Sequence, residues 1–138
     1  MPFALRVVSV EASLFEGDAD FVLATGGEGE LGILPRHAPL LTTLAPGLLR
    51  IDAEGKREEI FVGGGFMEVL PDRVTVLADV AERAEDISLD RAEQARKEIQ
   101  ERLAAARELT AQERLDMGAA LAMAEARLRV ARMRRGGS

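Results

Sequence analysis

The hydrophobic period of this chain changes once, near residue 86, and that change limits what it can fold into. Before it, apolar residues come in short or alternating runs: ALRVVSV, FVLAT, GILP, LLTTL, LLRID, EEIFV, FMEVL and RVTVLAD. A period of two places successive side chains on opposite faces of an extended backbone, so these runs are predicted strands. Between them stand EGD, TGGEGE, PG, DAEG, GGG and PD, whose glycines, prolines and aspartates supply the conformations that turns require. Strands this closely spaced leave no room for crossover helices. That excludes parallel βαβ units and predicts an antiparallel β-sandwich or flattened barrel.

From Ser88 onward the period becomes helical, with Leu89, Ala92, Ala95 or Arg96, Ile99, Leu103 and Ala106 recurring at steps of three and four. Ser88 is the expected N-cap, Asp90 and Glu93 complement the helix dipole in the first turn, and the helix is expected to stop near Leu109. Thr110-Ala111-Gln112-Glu113 then has the T-x-x-E form of a capping box opening a second helix. Its predicted stripe is Leu115, Ala119, Ala122, Ala126, Val130 and Met133. Two helices of roughly 20 residues, each ~30 Å long, joined by a short link make an antiparallel hairpin. The expected fold class is therefore α+β in two parts, a sandwich over residues 1–86 and a hairpin over 87–138.

Alanine supplies much of both helical stripes. It lets helices approach closely but buries little area, and at ~25 cal/mol per Å² each contact contributes little. A weakly held hairpin admits two readings, a permanent arm packed on the sandwich or an element that detaches and packs elsewhere. Charge divides the chain at the same place. Residues 1–84 carry 7 Lys/Arg against 14 Asp/Glu, and after Glu125 only basic or neutral residues follow. Arg127, Arg129, Arg132, Arg134 and Arg135 give an acidic protein a cationic end suited to an anionic partner.

Several kinds of chemistry are disfavoured by what the chain lacks. It has no cysteine and one histidine, His37, so a triad or zinc site would have to be built on that residue alone. No second histidine or acidic residue stands at ligand spacing around it, which makes His37 a structural or interface residue, with no catalytic and no metal role expected. Gly27-Glu28-Gly29-Glu30-Leu31-Gly32 fits G-x-G-x-x-G, but Ile33-Leu34-Pro35 follows where a phosphate-binding helix should start, and two glutamates sit where phosphate would. It reads as a tight turn. Gly63-Gly64-Gly65 marks a bulge or a close approach of another backbone. Glu58-Glu59 and Glu28/Glu30 read as surface charge rather than paired acid and base. With no Tyr or Trp for stacking, nucleic acid is not an expected partner. No apolar run approaches the roughly 20 residues of a membrane span, and no signal-peptide pattern opens the chain, so a cytoplasmic location is expected.

Three stretches, EGELGILPRHAPLLTTLAPG, GGGFMEVLPDRVTVLADVAERAEDISLDRA and AEARLRVARM, resemble the epsilon subunit of the bacterial F-type ATP synthase, in order and over nearly the whole chain. The resemblance implies a non-catalytic rotor subunit of a proton-translocating synthase, peripheral on the cytoplasmic face of the membrane without insertion. It implies that the sandwich bridges the gamma subunit and the c-subunit ring, with Glu28 and Glu30 facing the ring and His37, Pro39 and Leu40 facing gamma. It further implies a regulatory hairpin that lies against the sandwich or extends along gamma to the beta and alpha subunits and blocks ATP hydrolysis. Arg127, Arg129, Arg132, Arg134 and Arg135 would be its inhibitory basic face. Some members of that family bind ATP through I/L-D-x-x-R-A and two arginines four apart. Here Ile87-Ser88-Leu89-Asp90-Arg91-Ala92 carries Ser88 at the aspartate position, and Met123 stands four before Arg127. Asp90, Arg91, Ala92 and Arg127 are the residual positions, so weak ATP binding at best is expected and no other cofactor. A free-standing adaptor is the competing class, and a small-molecule enzyme a distant third.

Overall fold

The computed structural model describes residues 2–136, with side chains as far as Arg134. Eight strands come first: β1 (Phe3–Ser9), β2 (Ser13–Ala19), β3 (Phe21–Gly26), β4 (Gly29–Ile33), β5 (Leu40–Ala53), β6 (Lys56–Val69), β7 (Arg73–Ala78) and β8 (Ala81–Arg83). A short 3-10 turn, Ala84–Asp86, leads into two helices, α1 (Leu89–Ala105) and α2 (Ala111–Gly136). This is the β-sandwich followed by a helical hairpin that the change of period predicts.

Alternation builds the sandwich as expected. Phe3, Leu5 and Val7 of β1, Leu49 and Ile51 of β5, Ile60, Val62, Met67 and Val69 of β6, and Val74 and Val76 of β7 all point into one buried cluster. All the buried members of that cluster come from the strands. The sheet runs β2-β1-β7-β6-β5-β3-β4, with β8 also on β6. Pairing is antiparallel except between β1 and β7, which run parallel from Ala4↔Arg73 to Ser9↔Ala78. Parallel neighbours need a long connection, and β2 to β6 supply it.

Three expected turns lie inside strands. The EGD stretch falls within β2, an edge strand paired only with β1, where one side is open to water and polar residues are tolerated. Pro46-Gly47 lies within β5, so LLTTL and LLRID are one strand. The β3–β5 pairing jumps from Leu23↔Arg50 to Gly26↔Leu44, and Pro46 sits opposite that gap, where its missing N–H breaks no ladder bond on that side. Gly63-Gly64-Gly65 likewise lies inside β6. There the close approach holds and the bulge does not: Gly64 and Gly65 have φ of +99° and +130° and the carbonyl of Leu77 lies directly against Gly65, while β6 keeps one register with β5 on both sides of the glycines. Residues 65–69 of β6 pair with β7 and residues 60–62 with β8, so the glycines form the corner at which β7 bends into β8.

The helix caps follow the sequence. Ser88 Oγ accepts the Arg91 N–H at 3.3 Å. Thr110 Oγ1 accepts the Glu113 N–H at 3.0 Å, while the Thr110 N–H donates to Glu113 Oε1 at 3.2 Å, a complete capping box. α1 stops at Ala105 rather than near Leu109, because Ala106 is already extended with ψ 127° and the chain is turning towards that box. Glu93 near the start of α1 meets Arg132 near the end of α2 at 3.6 Å, which fixes the antiparallel sense of the hairpin. The stripe of α1 stands, with Ala92 buried and Leu89, Ala95, Arg96, Ile99, Leu103 and Ala106 half-buried. That of α2 is corrected: Leu115, Ala119 and Ala122 are exposed and Met133 is nearly half-exposed. The buried residues are Ala126, Leu128, Val130 and Ala131.

Candidate functional site

The docked hairpin defines the first surface. In the β5–β6 ladder Leu48 faces Phe61, and both point away from the sandwich core. The end of α2 lies over them: Phe61, Ala84, Ile87, Ala92, Ala126, Leu128, Val130 and Ala131 form a second buried cluster, with Leu48, Leu89 and Met123 at its margin. Phe61, 1% exposed, is its one large aromatic member, and four of the eight buried residues are alanines.

Ion pairs surround that cluster. Glu82 of β8 is the cross-strand neighbour of Phe61 and so points to the same face. It receives a two-pronged contact from Arg127, Nε to Oε1 at 3.0 Å and Nη2 to Oε2 at 3.1 Å. Arg134 meets Glu85 of the 3-10 turn at 3.6 Å. Arg132 instead bonds within the hairpin, to Glu93. Arg129 is exposed and has no ion pair among the described residues. The side chain of Arg135 lies outside the described residues. β8 is itself held in place by Arg83, whose Nη2 donates to the Leu14 carbonyl at 2.7 Å.

The residual ATP positions do not assemble a nucleotide site. Ser88 is committed to its cap, and Asp90 and Arg91 are exposed. Ala92 is buried in the docking cluster, Arg127 is held by Glu82, and Met123 packs its sulfur over Gly63. Two side chains of the pattern are absent and a third is occupied, so the residues present fit the group poorly.

His37 lies in the connection between β4 and β5. Its Nδ1 donates to the Ala38 carbonyl at 2.8 Å, the only role a carbonyl partner permits. The connection is anchored next door, where Arg36 has φ +65° and donates its N–H to the Pro71 carbonyl at 3.2 Å. Pro39 is exposed, whereas Leu40 packs against the core, so it is Leu41 that faces water, 71% exposed. Glu28 and Glu30 are both exposed, Glu28 in the two-residue turn and Glu30 on β4. That turn and residues 40–43 line one groove of about 530 Å³, which brings Glu28, Glu30 and Leu40 together.

A third surface is not apparent from the motifs. Leu41 of β5 (71% exposed), Phe66 of β6 (52%) and Leu77 of β7 (54%) lie on adjacent strands, with Phe66 directly opposite Leu77. An apolar patch on adjacent strands is a contact surface more often than an accident. The signal was present in the strand phase: Phe66 and Leu77 fall on the outward positions of runs whose inward residues are already apolar. Glu82 and Glu85 carried no such signal, since only the fold brings AERAED beneath the arginines. Among the described residues no cluster of potential metal ligands occurs and no helix is long and apolar enough to cross a membrane.

Residues 2–84 match the family described as ATP synthase, Delta/Epsilon chain, beta-sandwich domain. Among curated proteins, the ATP synthase epsilon chain of Pelotomaculum thermopropionicum is 53% identical over 100 residues, covering 72% of this chain and 75% of its own. That of Acidithiobacillus ferridurans is 55% identical over 104 residues, covering 75% and 74%. Among solved structures, a chain of the Euglena gracilis mitochondrial ATP synthase has the same fold, with a TM-score of 0.78 over 90% of this chain and 78% of that one at 24% identity.

Proposed function

The chain belongs to the ATP synthase Delta/Epsilon family as an epsilon chain, a non-catalytic subunit of that complex, and we propose that it couples gamma to the c-subunit ring while its hairpin inhibits ATP hydrolysis. The observation that carries this reading is the separation of the two clusters. The sandwich has a core made of strand residues alone, and the hairpin sits outside it on a small, alanine-rich contact. A body that keeps its own core is suited to transmitting torque, and an arm docked on so little apolar area is suited to leaving.

Three surfaces support the reading of the partners. The apolar patch of Leu41, Phe66 and Leu77, of which Leu41 is close to His37 and Pro39 in sequence, is the gamma-facing surface. Glu28 and Glu30 face the polar loops of the c ring, where exposed charge pairs of ~0–1 kcal/mol set orientation more than affinity. The basic face from Arg127 to Arg135 meets acidic loops of the beta and alpha subunits when the hairpin extends. In this reading the protein is peripheral on the cytoplasmic face of the cell membrane, and the ion driven through the ring is the proton.

Two measurements test it. Purified gamma should co-elute with the chain as a stable one-to-one complex, and loss of that complex in Phe66→Asp with Leu77→Asp would locate it on the patch. In the reconstituted synthase, a chain ending at Asp86 should leave ATP hydrolysis faster than the full chain does. Equal rates would overturn the inhibitory role.

A further inference from the structure

Among the arginines of the basic face, those with described side chains do different things in the docked state. Arg132 ties the two helices to each other, Arg134 makes an exposed single contact with Glu85, and Arg129 is exposed. Arg127 alone makes a bidentate contact with the sandwich, and it does so half-buried, beside the apolar cluster. Forked guanidinium–carboxylate contacts are the strong ones, and partial burial weakens their screening by salt. The position of Glu82 is dictated twice: it is the cross-strand neighbour of Phe61, and its strand is anchored by the Arg83–Leu14 bond. Docking α2 on Phe61 therefore delivers Arg127 to Glu82 without further adjustment.

We propose that the Glu82–Arg127 pair is the catch of the docked hairpin, and that docking and capture by an acidic partner surface exclude one another because both use the same guanidinium. This rests on the reading of the hairpin as a mobile inhibitory arm. A group that serves in both states makes the equilibrium depend on the difference between two pairings, Glu82 in one and the partner's carboxylates in the other. Glu82 contributes to the docked state alone. Neutralising it releases the hairpin and frees Arg127, whereas neutralising Arg127 weakens both states. The two halves of one ion pair thus have unequal effects on inhibition: loss of Glu82 acts in full, and loss of Arg127 only by the difference between the two pairings.

The absence of cysteine allows a clean measurement. Val80 Cβ and Met123 Sδ approach the same point above Gly63, at 3.2 and 2.7 Å from where a side-chain carbon there would stand. A Val80→Cys, Met123→Cys chain reports docking by its rate of disulfide formation, and hydrogen exchange over residues 126–131 gives the same readout without cysteines. Glu82→Gln and Arg127→Gln should each lower the docked population roughly fivefold, and 0.5 M salt should lower it in the parent chain but little in either variant. The swap of Glu82→Arg with Arg127→Glu should restore docking. In the assembled synthase Glu82→Gln should deepen inhibition, and Arg127→Gln should leave it weaker than Glu82→Gln does. Unchanged docking in the single variants, no recovery in the swap, or inhibition as deep in Arg127→Gln as in Glu82→Gln would each overturn the catch. Failure of the underlying reading has a separate signature, a hydrolysis rate indifferent to deletion of the whole hairpin.

Discussion

Met123 of α2 sits over Gly63 of β6, its sulfur 2.7 Å from where a side-chain carbon at position 63 would stand. The absent side chain of one residue is what lets the other helix come down onto the sheet. Gly63→Ala forces Met123 and Val80 to give, and because a methionine bends easily the expected loss is about 1 kcal/mol, confined to docking. Gly65→Ala is a different case. There the new carbon meets the Leu77 carbonyl and the Ala78 Cα at 2.9 Å, with φ at +130°, and nothing flexible can move aside. The expected loss is several kcal/mol, roughly 3 or more, for the whole sandwich. Thermal unfolding followed by far-UV circular dichroism separates the two: Gly65→Ala lowers the strand transition and Gly63→Ala leaves it.

Truncating Phe61 removes the aromatic centre of the docking cluster without touching the sandwich core. Phe→Ala at a fully buried site costs about 3–5 kcal/mol, more than so small an interface can lose and remain closed. Phe61→Ala is therefore expected to retain its sheet while amide protection over residues 126–131 collapses. Global loss of strand protection in the same experiment would show instead that sandwich and hairpin unfold as one unit.

Thr110→Ala removes one half of the reciprocal contact with Glu113. The expected cost is about 1 kcal/mol at the start of α2, equivalent to roughly fivefold faster opening of its first turn. Exchange rates of amides 112–114 should rise by that factor, with those of residues 126–131 unchanged.

Isothermal titration with ATP is expected to show no micromolar binding to the full chain, since Ser88 caps α1, Met123 covers Gly63 and Arg127 is held by Glu82. Each missing charged hydrogen bond withholds ~1.5–3 kcal/mol. A Kd in the micromolar range would mean that Arg127 exchanges Glu82 for phosphate readily, and that the ion pair is weaker than its geometry implies.

The period change near residue 86, both helix caps and the inward faces of the strands were legible because each is set by neighbours along the chain. Apart from the end of α1, which turns early towards the capping box, the misread features are set by neighbours across it. Pro46 looks like a turn until β3 is seen to skip that part of β5. Glu16-Gly17-Asp18 looks like a turn until β2 proves to be an edge. On α2, alanine occurs on nearly every side, so stripes differing by a fraction of a turn fit equally well. Only the positions of Phe61 and α1 decide that Leu128 and Ala131 are buried while Leu115 is 67% exposed. The candidate surfaces divide in the same way. Glu28 and the arginines stand out by charge, while Glu82 acquires its meaning from lying beside Phe61 across two strands.

The parallel pairing of β1 with β7 bears on how the molecule comes into being. Residues 3–9 have no second neighbour until residues 73–78 arrive, so the central part of the sheet cannot close while the chain is still short. On the ribosome the first strand waits, with β2 beside it, for almost the whole sandwich to be made. The surface that receives the hairpin is complete only after β8 follows, at residues 81–83. Synthesis order thus separates the two parts in time: the body closes first, and the arm emerges to find its seat already built.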